Sequence, residues 1–163
     1  MRYNKIRKMD IADGPGVRVS IFLQGCVFNC PGCFNPETHD FNGGKEFTSE
    51  VLNQLLRLCE ADYVKGLSIL GGEPLHPHNI AGTIEIAKAF KQKFPQKSIW
   101  LWSGYLYENV ADKKIFDYID VMVDGQFKKD LANPMLKYCG SANQRVIDVQ
   151  QTLKAKQVLL WQN

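Results

Sequence analysis

Residues 17–33 read VRVSIFLQGCVFNCPGC. The first eight, Val17–Gln24, are rich in β-branched and aromatic residues and read as a buried strand. The rest opens a connection that runs from Gly25 to Lys45 and carries Pro31, Gly32, Pro36, Gly43 and Gly44. Loops of that length are uncommon in compact domains unless they bind something. Outward from it, Thr48 is placed as a helix N-cap, with Phe47 and Leu52 staple-spaced across it. Val51, Leu52, Leu55, Leu56 and Cys59 follow at helical spacing. Leu67–Leu70 reads as a strand ending at Gly71-Gly72, and His78–Phe94 as a helix stopped by Pro95. Ile99–Trp102 and Ile119–Val123 read as further strands, with a short helix at Asp112–Tyr118. Arg145–Leu160 carries no clear period. Alternating strands and helices predict an α/β fold with a parallel sheet and right-handed crossovers. The loops Gly25–Lys45, Gly71–Pro74, Ser103–Tyr105 and Asp124–Gln126 then share the C-terminal edge of the sheet, where such folds bind ligands.

The chain has 163 residues, read as one domain spanning 1–163. That is too short for a closed eightfold barrel of about 250 residues. With 45% hydrophobic and 23% charged residues, disorder and coiled coil are excluded. A net charge of +3 argues neither for nor against nucleic acid, and with no polybasic run no nucleic-acid partner is expected. No apolar stretch approaches a membrane span and Met1–Asp10 has no signal core, which predicts a cytoplasmic protein.

Three of the five cysteines, Cys26, Cys30 and Cys33, are spaced C-x3-C-x2-C. Three thiolates on one loop can hold three irons of a [4Fe–4S] cluster and leave the fourth open. The alternative is a structural zinc completed by His39 or Cys139 in a non-enzymatic binding module. Cys59 sits on the apolar stripe of its helix and reads as core. Arg18 reads as an ion-pairing residue. Trp100 and Trp102 read as core on one strand face. His76 and His78 read as helix entry. Phe34 divides between core packing and ligand contact. Ser103, Tyr105 and Asp124 stand at predicted strand ends.

The cysteine spacing after a first strand, with Gly71-Gly72-Glu73-Pro74 after a second, resembles the radical S-adenosylmethionine enzymes. Asp13–Arg18, Gly25–Asn35, Leu70–Pro77, Trp100–Tyr105, Val123–Phe127 and Gly140–Arg145 together resemble, more narrowly, the activating proteins of anaerobic (class III) ribonucleoside-triphosphate reductase. The resemblance implies an incomplete, open parallel (β/α) barrel of the radical S-adenosylmethionine type. It implies that Cys26, Cys30 and Cys33 ligate one [4Fe–4S] cluster. Gly32, Cys33, Phe34, Gly71, Gly72 and Glu73 would contact S-adenosylmethionine. Reductive cleavage to a 5′-deoxyadenosyl radical, formed on the cofactor rather than on a protein side chain, would then install a glycyl radical on the reductase. A flavodoxin-type protein would supply the electron. Activation of another glycyl-radical enzyme of the formate-lyase type, or a small-molecule radical reaction, shares the same cluster and differs in the acceptor. Asn143 and Arg145 belong to the resemblance without an assigned role.

Overall fold

The computed structural model describes residues 1–162. Its centre is a run of four parallel strands: β2 (Val17–Leu23), β4 (Val64–Gly71), β5 (Ser98–Ser103) and β6 (Val121–Asp124). Three further strands flank them. β1 (Arg2–Asp10) pairs antiparallel with β2, the two-residue β3 (Lys45–Glu46) pairs antiparallel with β1, and β7 (Arg145–Asp148) pairs antiparallel with β6. The order is β3-β1-β2-β4-β5-β6-β7, an open sheet whose edges are not joined among the described residues. The expectation of a purely parallel sheet therefore holds for the centre only.

Alternation along the strands separates two buried faces. Val19, Ile21 and Leu23 of β2 join Leu67, Ile69, Ile99, Leu101 and Met122 in one core cluster. The helices α1 (Ser49–Leu58) and α2 (Ile80–Lys93) cover that face with Leu55, Leu56, Ile86, Ala87 and Phe90. Burying a side chain such as Leu55 contributes about 1.5–3 kcal/mol. Thr48 caps α1 as its position predicts, its side chain accepting from the Val51 N–H at 3.4 Å. Cys59 lies wholly in this core, where burial pushes its thiol up to about 12.

The other face carries Arg18, Phe22, Ser68, Leu70, Trp100 and Trp102, and it forms a cup. Arg18 is fully buried and forms no ion pair with a carboxylate among the described residues, against the ion-pair expectation. Its guanidinium donates to Ser68 Oγ at 2.8 Å, Ser98 Oγ at 3.0 Å, and the carbonyls of Leu67 and Ser98 at 2.9 Å each. It also lies 5.7 Å from the centre of the Trp100 ring. Burial lowers its affinity for the proton to about 10.

The predicted helix at 112–118 is a 3-10 turn over Lys114–Asp117. The ambiguous C-terminal stretch resolves into β7 and the short helix α3 (Val149–Ala155). No helix among the described residues is long and apolar enough to cross a membrane.

Candidate active site

A cleft of about 780 Å³ opens at the C-terminal ends of the parallel strands. Cys26, Cys30 and Cys33 stand on one wall, Gly71, Gly72 and Glu73 on the floor, and Ser103, Gly104, Gly125 and Gln126 beside them. Four loops predicted to meet at one sheet edge do meet there.

The cysteine loop returns to its own root. Gly25 N–H donates to Thr38 O at 2.8 Å, and Cys26 N–H to His39 O at 3.1 Å. Thr38 is buried, and its hydroxyl donates to Asn35 O at 2.7 Å. Residues 25–39 thus form a compact Ω-like loop with closed ends. Gln24, buried beneath it, donates from Nε2 to Glu37 O at 2.9 Å and to Asp40 O at 2.7 Å. All three thiols remain partly accessible. Asn35 N–H points at Cys33 Sγ across 3.4 Å, the kind of contact that tunes a cysteine sulfur where it ligates a cluster. Burial pushes the Cys26 and Cys30 thiols up, and Cys33 adds to the effect at Cys30.

Among the described residues no three His, Cys, Asp or Glu side chains form a group that could hold a metal ion. Cys26, Cys30 and Cys33 all line the cleft, and three thiolates are the donor set that a cubane takes at three of its corners. Cys139 lines the same cleft, whereas His39 does not.

The glycine pair has a reason internal to the fold. Gly71 sits at φ +99°, and a Cβ there would lie 2.7 Å from Leu23 N. A Cβ on Gly72 would lie 2.5 Å from Gly25 O. The turn is pressed against the end of β2, with Gly72 N–H donating to Leu23 O at 2.9 Å and Glu73 N–H to Gly25 O at 2.8 Å. The close approach of one backbone to another by itself excludes side chains at both positions.

Glu73 is 1% exposed and both its oxygens are engaged. Oε1 accepts from Ser103 Oγ at 2.8 Å and Leu75 N–H at 2.9 Å, and Oε2 accepts from Gly104 N–H at 2.8 Å. It anchors the loop after β5 to the turn after β4. Burial pushes its carboxyl from 4.5 up to about 7 against these three donors. Between those values the folded chain holds this proton more tightly than the unfolded chain, so stability falls as pH rises through the window. Glu73→Gln is expected to abolish that slope. It should also cost about 1–3 kcal/mol, because an amide NH2 replaces an acceptor among donors. Urea midpoints at about pH 5 and about pH 8 measure both effects; an unchanged slope would remove Glu73 as its source.

Gly32 does not reach the cleft wall; the position of its missing Cβ lies 3.4 Å from Lys129 Cδ. Phe34 is 71% exposed at the rim and packs on Phe127 at 5.0 Å, so it is not a core residue. Trp100 is buried, while Trp102 lines the cleft and donates from Nε1 to Tyr138 O at 2.9 Å. Tyr105 meets Phe28 edge-on at 4.9 Å. His76 and His78 both pack against Phe41 of the cysteine-bearing connection. Asp124 is fully buried and accepts from Tyr107 N–H at 2.9 Å and from Arg145, which also forks onto Glu108. Asn143 Nδ2 donates to Gln126 O at 2.9 Å. The Gly140–Arg145 motif therefore braces the loop after β6. On the far wall, Phe127 ends the Val123–Phe127 motif, whereas Ala132, Pro134 and Leu136 had no predicted role and lie between the last two motifs.

Residues 12–147 match the family described as "4Fe-4S single cluster domain". The chain is 39% identical over 150 residues to an anaerobic ribonucleoside-triphosphate reductase-activating protein of Escherichia coli strain K12, covering 90% of this chain and 97% of that protein. The protein of the same name from Vibrio cholerae is 37% identical over 148 residues, covering 88% and 96%. That of enterobacteria phage T4 is 37% identical over 146 residues, covering 90% and 93%. The chain belongs to the 4Fe-4S single cluster family and, within it, to the anaerobic ribonucleoside-triphosphate reductase-activating proteins.

Proposed function

We propose that this chain activates an anaerobic ribonucleoside-triphosphate reductase by generating a glycyl radical on it, at the expense of S-adenosylmethionine. The observation that carries the reading is the placement of Cys26, Cys30 and Cys33 over the Gly71–Glu73 turn in one cleft. When bound at these cysteines, a [4Fe–4S] cluster with one open iron would supply the electron that cleaves S-adenosylmethionine and so yields the hydrogen-abstracting radical. The chain's own part is placement and exclusion of water. The Ω-like loop presents the thiols, and the Gly71–Glu73 turn and Phe34 are the proposed contacts for S-adenosylmethionine, with Gly32 supporting the loop. The open sheet, with its cup facing the cleft, is on this reading the incomplete barrel of the radical S-adenosylmethionine type. A flavodoxin-type protein is the proposed electron donor.

The reductase is the proposed occupant of the cleft mouth. Phe34 and the segment carrying Met135, which is 86% exposed, leave an apolar rim that a glycine-bearing loop would cover. The test is to incubate the reconstituted chain with an anaerobic reductase, S-adenosylmethionine and a reductant, and to record the EPR spectrum. A glycine-centred doublet on the reductase is expected. Cleavage without the doublet would point to a different acceptor, and no cleavage at all would overturn the reading.

A further inference from the structure

Asn79 lies just before α2, outside the cysteine and Gly-Gly-Glu-Pro motifs, yet it is fully buried. Its side chain does not cap α2. Instead Nδ2 faces three carbonyls: Gln24 O at 3.0 Å, Glu73 O at 3.1 Å and Gly25 O at 3.4 Å. Its Oδ1 is buried and has no partner among the described residues. An unpaired buried acceptor is costly, so the three carbonyls, rather than the helix, dictate the amide's orientation. Two of those carbonyls belong to the root of the cysteine loop and the third to the turn on the cleft floor. The single Thr83 hydroxyl hydrogen, one helical turn on, is shared between Pro74 O at 2.9 Å and the Asn79 main-chain O at 3.1 Å, tying the turn to the start of α2.

We infer that Asn79 is a positioning residue, a clamp that fixes the distance between the cysteine loop and the Gly71–Glu73 turn. The inference rests on the reading that S-adenosylmethionine bridges those two elements in the cleft. A ligand held at one end by a cluster-bearing loop and at the other by a turn requires a fixed span between them. Backbone bonds from Gly72 and Glu73 to Leu23 and Gly25 set the contact, and Asn79 supplies the only side-chain donor given to both Gln24 O and Glu73 O among the described residues. From there the path continues through Glu73 to Ser103 and Gly104, so three of the loops around the cleft share one register.

The test compares Asn79→Ala and Asn79→Ser with the unsubstituted chain and with Ile86→Val, a core change on the same helix. The first readout is amide hydrogen exchange of residues 25–33 and 71–75 in the cluster-free chain. The second is S-adenosylmethionine affinity of the reconstituted chain, followed by the EPR change on binding. Asn79→Ala is expected to speed exchange in both segments together and to weaken S-adenosylmethionine about tenfold. Asn79→Ser, which keeps one donor, should fall between. Ile86→Val should lower the melting temperature without either effect. If Asn79→Ala leaves exchange and affinity at the unsubstituted values, or only tracks Ile86→Val, the clamp is refuted. If the unsubstituted chain shows no EPR change with S-adenosylmethionine, the reading of the site fails first and takes the inference with it.

Discussion

Reconstituted anaerobically, Cys30→Ala is expected to lose its iron and sulfide together and to cleave no S-adenosylmethionine. Loss of an outer contact to a metal ligand already costs 10- to 100-fold in affinity, so loss of a ligand itself should cost roughly 100-fold or more. The family description names a single 4Fe-4S cluster, so four irons and four sulfides per chain are expected, and iron and sulfide analysis reads them directly. Two other cysteines sharpen the result. Cys59→Ala should keep the full complement, because that thiol is buried in the core under α1. Cys139→Ser should also keep it, although Cys139 lines the cleft. A chain that holds one zinc and no sulfide, and loses it on Cys139→Ser, would restore the zinc alternative. Iron and sulfide retained in Cys30→Ala would overturn the ligand set.

Arg18→Leu is expected to produce the largest loss of stability, about 3 kcal/mol or more. The substitution leaves the carbonyls of Leu67 and Ser98 and the hydroxyls of Ser68 and Ser98 short of a donor, and each unpaired buried group costs about 1–3 kcal/mol. Against a total of about 5–15 kcal/mol, that is a large share. The effect should also reach the cleft. Ser68 accepts from Arg18 and donates to Asp13 O at 2.5 Å, and Asp13 lines the cleft beside Arg7. Arg18→Lys should recover only part of the loss, since an ammonium cannot reproduce a planar fork onto four acceptors. Urea unfolding checks the series; a Leu variant with an unshifted midpoint would show that these bonds contribute nothing net.

Arg18 also shows where the sequence misleads. A lone arginine in a strand reads as a surface ion pair because buried charge is rare. Only the spatial approach of Gly66, Ser68 and Ser98 reveals a cage of neutral acceptors. The four parallel strands were legible because both their faces are buried, which makes them apolar runs. β1 was not, because Arg2, Asn4, Lys5, Arg7 and Lys8 interrupt any period, and an edge-side strand needs none. β7 was hidden for the same reason. The cysteine loop and the glycine turn were legible as motifs. Their mutual grip was not, because it runs through carbonyls and through Asn79, and backbone partners leave no trace in residue type.

The cleft draws its lining from Arg7 to Gln144, nearly the whole chain. During synthesis the three thiols therefore leave the ribosome well before their far wall exists. At about 5–20 residues per second, the roughly 110 residues between Cys33 and Gln144 take about 5–20 s to appear. For that interval the thiols lack the cleft wall built from residues 126–144. Oxidation of these thiols during translation is thus a hazard distinct from their oxidation in the finished fold.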